Sequence, residues 1–102
     1  MVRDLTVNGI VEILERVWSG DEAVVSVADT HYLRVFSDMV EGAVGFSYCV
    51  ETVAAGNVYD DGNAELQSEG FATRYNEALL LGATAFGAVR NREETIRACP
   101  PR

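Results

Sequence analysis

The chain has 102 residues, of which 48% are hydrophobic and 24% are charged, as in one folded domain rather than a disordered segment. It carries 16 acidic residues against 8 basic ones, and every basic residue is arginine, so the formal net charge is −8. Such a field repels the phosphates of DNA and RNA, which disfavours direct nucleic-acid binding through the acidic middle of the chain. We therefore expect a single acidic domain over residues 1–102.

The chain lacks the marks of a membrane or secreted protein. Its longest apolar stretch, Ala78 to Val89, has 12 residues and is shorter than the ~20 needed to cross a bilayer. Asn8, Gly9 and Glu12 interrupt the apolar run that a secretory signal would need. We expect a cytoplasmic protein with no membrane span.

The two cysteines, Cys49 and Cys99, are expected to be free thiols, because cytosolic chains seldom keep disulfides. A bridge would need their α-carbons within about 7 Å, which the sequence does not decide.

The first predicted element is a helix over Leu5 to Trp18. Asp4 or Thr6 could accept the first free amides, and Gly20 can take the positive φ that stops a helix. Its apolar residues recur at helical spacing: Val7, Ile10, Val11, Leu14, Val17 and Trp18.

Alternating β-branched residues from Glu22 onward predict a hairpin. Its turn is expected at Asp29-Thr30-His31 and its second strand at Tyr32–Phe36. The next segment, Ser37 to Ala43, fits either a helical turn or a wide loop.

Alternation returns from Gly45 to Ala54 and predicts a third strand. After a turn at Gly56-Asn57, the segments Val58-Tyr59 and Ala64–Ser68 flank the turn-forming residues 60–63 and predict a second hairpin. The sheet should therefore hold four or five antiparallel strands.

A long second helix is predicted from Arg74, with Thr73 as its N-cap and Pro100-Pro101 as its end. Gly82 and Gly87 disfavour a helix, so they suggest close approach of the sheet or of a partner subunit, as in a homodimer. The predicted fold class is α+β: an N-terminal helix, an antiparallel sheet, and a long C-terminal helix packed on one sheet face. The opposite face should be exposed and acidic.

The negative charge is concentrated in the middle of the chain. Between Asp21 and Glu77 lie 11 acidic residues and only 2 arginines, for a net charge of −9. This segment could serve solubility alone, or it could bind a basic protein surface. The candidate partner-binding residues are Asp29, Asp38, Glu41, Glu51, Asp60, Asp61, Glu65 and Glu69, with Tyr48 and Tyr59.

Few residues suggest catalysis or metal binding. His31 is the one histidine and falls in a predicted turn, and the cysteines lie 50 residues apart, without the spacing of a zinc site. The run Asp60 to Glu65 lacks the ligand positions of a calcium loop and fits a turn better. We expect no catalytic residues, metal or cofactor.

A lysine-free acidic chain with two predicted hairpins before a helix starting Gly70-Phe71-Ala72-Thr73-Arg74 resembles small proteins of phages and mobile elements, such as the anti-CRISPR proteins. The resemblance implies a non-enzymatic inhibitor that occupies the basic nucleic-acid channel of a host defence complex.

Two other hypotheses remain open. The same acidity suits an immunity or antitoxin-type protein that plugs a toxin enzyme. A small-ligand enzyme or binding domain would instead need a buried carboxylate, or His31, in a pocket between the sheet and the helices.

Overall fold

The computed structural model describes residues 6–60 and 62–98, with the backbone alone described over residues 91–98. The elements in chain order are α1 (Val7–Val17), β1 (Glu22–Val27), β2 (His31–Val40), β3 (Ala43–Thr52), β4 (Glu65–Ala72) and α2 (Tyr75–Ala98). The predicted α+β class is confirmed, and the sheet of the described residues has four strands.

The sheet is an antiparallel meander in which each strand pairs with the next along the chain. Leu33 of β2 lies opposite both Val25 of β1 and Val50 of β3, so apolar side chains line up across the strands. A register shift between Val50 and Glu51 marks an irregularity in the pairing of β3 with β4. One face of the sheet is therefore apolar in its centre.

Helix α1 begins at Val7, after the predicted cap Thr6, and the predicted first residue, Leu5, lies outside the described residues. The Thr6 hydroxyl accepts a hydrogen bond of 3.0 Å from the Gly9 amide, which satisfies one of the free N–H groups of the first turn. Gly20 has a φ of 93° and turns the chain toward β1. The alternative cap, Asp4, lies outside the described residues.

Helix α2 begins at Tyr75, one residue later than predicted, and its predicted end at Pro100-Pro101 lies outside the described residues. Gly82 lies close to the sheet: a Cβ there would meet Leu33 Cδ1 and the Tyr48 Cβ, each at 3.2 Å. The predicted close approach is confirmed at this position. A Cβ on Gly87 would meet nothing within 4 Å, so close approach of the sheet does not explain that glycine.

Both helices pack on the same side of the sheet and share one core with it. Three aromatic rings, those of Trp18, Phe46 and Tyr75, meet edge to face with centroids 5.0 to 5.9 Å apart and close one end of the helix layer. The largest fully buried side chains are Phe86, Ile10, Leu14, Leu33, Leu79, Val35 and Val50.

The segment Ser37–Ala43 is neither the helical turn nor the wide loop that the sequence suggested. Strand β2 continues to Val40, and a two-residue turn at Glu41-Gly42, with φ values of 51° and 84°, leads directly into β3. Positive φ at both central residues is the turn geometry that best fits the twist of a hairpin. Glu41 therefore occupies a tight turn.

The predicted strand at Val58-Tyr59 is wrong. Both residues lie in the loop between β3 and β4, and β4 pairs with β3 instead. The turn around Asp60 is present: the Asp60 Oδ1 accepts from the Gly62 and Asn63 amides at 2.8 and 2.9 Å. It shapes a loop rather than joining two strands.

His31 was expected in a turn but is the first residue of β2 and is only 8% exposed. The turn lies one step earlier, at Ala28 and Asp29, which both have a φ of 55°. The strand thus begins sooner than the Asp-Thr-His sequence suggested.

Candidate protein-binding face

The second face of the sheet is not covered by either helix in the described part of the chain, and we call it the open face. Alternation along β2 directs Leu33 and Val35 into the core, and Tyr32, Arg34, Phe36 and Asp38 to the other side. The side chains of the open face include Glu22, Val24, Ser26, Tyr32, Arg34, Phe36, Asp38, Ser47, Cys49, Glu51, Leu66, Glu69 and Phe71.

Two phenylalanines flank a serine on this face. Ser47 pairs with Phe36 on one side and with Phe71 on the other, so the three residues form one row across β2, β3 and β4. Ser47 is only 8% exposed although no helix covers it. The two rings bound a groove of about 450 Å³ whose lining includes Ser47 and Cys49.

Carboxylates stand at both ends of this groove. Asp38 Oδ2 accepts a hydrogen bond of 2.6 Å from the Ser47 hydroxyl, and its Oδ1 accepts from the Met39 amide at 2.8 Å. These hydrogen bonds, with that from Ser47 the stronger influence, lower the pKa of Asp38 and keep it ionised. Glu69 lines the other end and has no hydrogen-bonding partner among the described residues.

A cation is already held beside the groove. Arg34 Nε lies 3.1 Å from Glu22 Oε2, and its Cζ lies 4.7 Å from the centroid of the Phe36 ring. Arg34 belongs to a separate cleft with Asp21 and Glu22 and does not line the groove between the phenylalanines. The open face thus stacks a guanidinium on one of its own rings.

Tyr59 ties the loop between β3 and β4 to the open face. Its ring stacks on Tyr32 with centroids 3.9 Å apart and planes within 8° of parallel. Its hydroxyl donates a hydrogen bond of 2.7 Å to Glu51 Oε1. Burial, together with this bond to a carboxylate, raises the pKa of Tyr59 well above its ordinary value.

Cys49 lies at the centre of the face and carries a free thiol. Burial raises its pKa, and the nearby carboxylates of Glu51 and Glu69 add to the effect while Arg34 opposes it. A thiol held protonated in this way is a poor nucleophile at neutral pH. Cys99 lies outside the described residues.

The structure brings together four of the predicted partner-binding residues: Asp38, Glu51, Glu69 and Tyr59. Asp29 and Asp60 lie at the adjoining end of the sheet, in the turn after β1 and in the loop after β3. The Asp29 carbonyl accepts from the Tyr32 hydroxyl at 3.2 Å, which connects that turn to the open face.

Three other predicted residues, Tyr48, Glu65 and Glu41, have their side chains away from the open face. Tyr48 lies on the helix side of the sheet, partly buried against the core near Gly82. Glu65 lines a pocket with His31 at the sheet end, and Glu41 occupies the turn at the opposite end. Asp61 lies outside the described residues.

Sequence reasoning missed several members of the open face: Glu22, Tyr32, Arg34, Phe36, Ser47, Cys49 and Phe71. Alternation along the predicted strands carried the signal for most of them, because residues two apart share a face. The Phe36–Ser47–Phe71 row additionally required the register between three strands.

His31 lines a second pocket, of about 390 Å³, with Thr30, Thr52, Asn63 and Glu65. Its Nδ1 lies 2.9 Å from the Thr30 hydroxyl. This pocket lies at the end of the sheet and is separate from the groove between the phenylalanines.

Neither described helix is both long and apolar enough to cross a membrane. Within residues 6–60 and 62–90, no three His, Cys, Asp or Glu side chains are grouped to hold a metal ion. Comparisons with protein families, with curated proteins and with solved structures find no match to this chain.

Proposed function

We propose that this chain is a non-enzymatic inhibitor that docks its open face on a basic, nucleic-acid-binding protein surface and so excludes DNA or RNA. The observation that carries the proposal is the placement of Asp38, Glu51 and Glu69 on one uncovered sheet face, beside half-buried aromatic rings. The target that we propose is a cytoplasmic host defence complex of the CRISPR type.

Two features of the face support a binding role over a purely solubilising one. A carboxylate that only improves solubility needs no fixed position. Asp38 and Glu51, however, are each held by a hydrogen bond shorter than 2.8 Å. Fixed charges lose less entropy when a partner binds them. The adjoining rings of Phe36 and Phe71 supply apolar area of the type enriched at interface centres.

Electrostatics would govern the encounter. A chain of net charge −8 is attracted to a basic groove over roughly a Debye length, and the attraction weakens with added salt. Binding should therefore be fast at low ionic strength and much weaker at high ionic strength.

The test is affinity capture with two charge-matched variants. Glu51→Gln/Glu69→Gln removes two negative charges from the open face, and glutamine keeps an oxygen that can accept from Tyr59. Glu12→Gln/Glu15→Gln removes the same charge from exposed positions on α1. Each immobilised chain is incubated with bacterial lysate at low and at high salt.

The proposal predicts a nucleic-acid-binding protein retained by the wild type and by the α1 variant, but weakened about tenfold by the open-face variant. In a binding assay with that purified protein, the wild-type chain should displace labelled DNA or RNA. Capture that is indifferent to salt, or equal for the two variants, would contradict the proposal.

The immunity or antitoxin hypothesis uses the same face and differs in the partner. A toxin nuclease, rather than a defence complex, would then be the captured protein. The variants would respond in the same way, so the identity of the partner separates the two hypotheses.

A small-ligand function is a second candidate because His31 lies in the wall of a pocket together with Glu65. A ligand there should raise the melting temperature of the wild type in a screen of small acids and amines. The shift should vanish in His31→Gln but persist in Phe71→Leu, whose change lies on the other side of the sheet.

A further inference from the structure

We propose that the groove between Phe36 and Phe71 receives an arginine side chain of the partner surface. This inference rests on the function proposed above, and it specifies which group of the partner the open face recognises.

The groove has room for one planar group. Phe36 and Phe71 stand on strands separated only by β3, on either side of Ser47. The groove that both rings line has a volume of about 450 Å³, and Ser47 in its floor is only 8% exposed. A planar side chain would therefore lie against the two rings above Ser47.

The charge of the groove selects a cation. The Asp38 carboxylate is held ionised by Ser47 and by the Met39 amide, and Glu69 at the other end has no partner among the described residues. Aromatic faces and carboxylates both attract cations and disfavour anions.

Guanidinium fits the combination better than ammonium does. It is planar, stacks on aromatic rings, and presents several N–H donors, so it can reach carboxylates while lying between the rings. The open face shows this preference internally, since Arg34 places its guanidinium over the outer side of Phe36 while bonding Glu22. The groove likewise combines the Phe36 ring with carboxylates, those of Asp38 and Glu69.

Backbone packing holds one wall of the groove in place. Gly45 lies beneath Phe71: an added Cβ there would meet Phe71 Cζ at 2.7 Å and the Thr73 Cα at 2.9 Å. The absence of a side chain at position 45 therefore lets the Phe71 ring lie against the strand.

The experiment uses three blocked tripeptides, Gly-X-Gly with X as arginine, lysine or citrulline, titrated into the isotope-labelled chain. Amide chemical shifts of Ser47, Cys49 and Glu69 report on the groove, and those of Glu12 and Glu15 on α1 serve as the control. The arginine peptide should shift the groove amides, the lysine peptide should bind roughly fivefold more weakly, and the uncharged citrulline peptide should give no saturable shift. Both Phe71→Leu, which keeps an apolar side chain, and Glu69→Gln should weaken arginine binding.

Equal affinities for the arginine and lysine peptides would overturn the inference. So would chemical-shift changes with the arginine peptide that are the same in the wild type and in a Phe71→Leu variant that keeps the wild-type circular dichroism. Binding of the captured partner to the variants distinguishes failure of this inference from failure of the proposed function. If the groove holds an arginine, Phe71→Leu should weaken the partner about tenfold without changing the salt dependence, because no charge is removed. If Phe71→Leu has no effect while Glu51→Gln/Glu69→Gln still does, the face binds the partner but the groove does not hold its arginine.

Discussion

Tyr59 and Glu51 are joined by a hydrogen bond of 2.7 Å that fastens the loop between β3 and β4 to the open face. The same tyrosine stacks on Tyr32, so the loop is held through both a polar and an aromatic contact. This arrangement determines where the Glu51 carboxylate lies, and with it part of the surface that we propose binds a partner.

Replacing Tyr59 with phenylalanine should lower the free energy of unfolding by about 1 kcal/mol, since the ring can still stack but the bond to Glu51 is lost. In a domain of this size, that corresponds to a fall of several degrees in melting temperature. Thermal unfolding followed by circular dichroism checks the prediction, and an unchanged melting temperature would contradict it.

The raised pKa of Tyr59 also predicts a pH dependence of stability. An unfolded tyrosine ionises near pH ~10, and the folded state holds Tyr59 neutral to higher pH, chiefly through burial. The stabilisation is therefore fully present below that pH and is lost as pH rises through the folded-state pKa. Urea unfolding at pH 9 and pH 11 should show a larger loss of stability in the wild type than in Tyr59→Phe, and equal losses would contradict the assignment.

Cys49 offers a chemical probe of the same surface. Because burial and the charges of Glu51 and Glu69 raise its pKa, its alkylation by iodoacetamide at pH 8 should be slower than that of free cysteine. Glu69→Gln should accelerate the reaction by lowering that pKa, whereas Glu12→Gln should not. Both measurements use a Cys99→Ser background, and an equal response to the two changes would show that Glu69 does not act on the thiol.

The two glycines of α2 should respond in opposite directions to alanine. Gly82→Ala should destabilise the fold, because the added methyl meets Leu33 and Tyr48 at 3.2 Å. Gly87→Ala meets nothing within 4 Å and should stabilise by about 0.5–1 kcal/mol through helix propensity. Chemical denaturation of the pair checks both signs, and destabilisation by Gly87→Ala would indicate a contact outside the described residues.

Much of this fold could be predicted from local sequence. The apolar spacing from Val7 to Leu14 predicts α1, and alternation around Leu33 and around Val50 predicts β2 and β3, because these patterns match the period of each element. The prediction failed between Ser37 and Ala43. There the hairpin extends past the ends of its neighbours β1 and β4, so its helix-side face is uncovered: Met39 is 65% and Val44 is 71% exposed. Apolar residues of the strand are therefore exposed there, and the usual alternation of buried apolar with exposed polar residues is lost.

The candidate site was less predictable than the fold. Counting acidic residues identified Asp38, Glu51 and Glu69, but it also included Glu41, which the turn after β2 places at the far end of the sheet. The groove depends on Phe36, Ser47 and Phe71 falling into one row. That row is set by the register of three strands, and a single sequence carries no direct signal for it.

The most direct test of the account is carboxylate footprinting of the chain with and without the partner that it captures. Carbodiimide coupling of an amine, read by mass spectrometry, measures the accessibility of each carboxylate. The account predicts that the partner protects Glu51 and Glu69 on the open face and leaves Glu12 and Glu15 on α1 as reactive as in the free chain. Protection of the α1 residues with Glu51 and Glu69 still reactive would show that the partner binds the helix side of the molecule and would contradict the account.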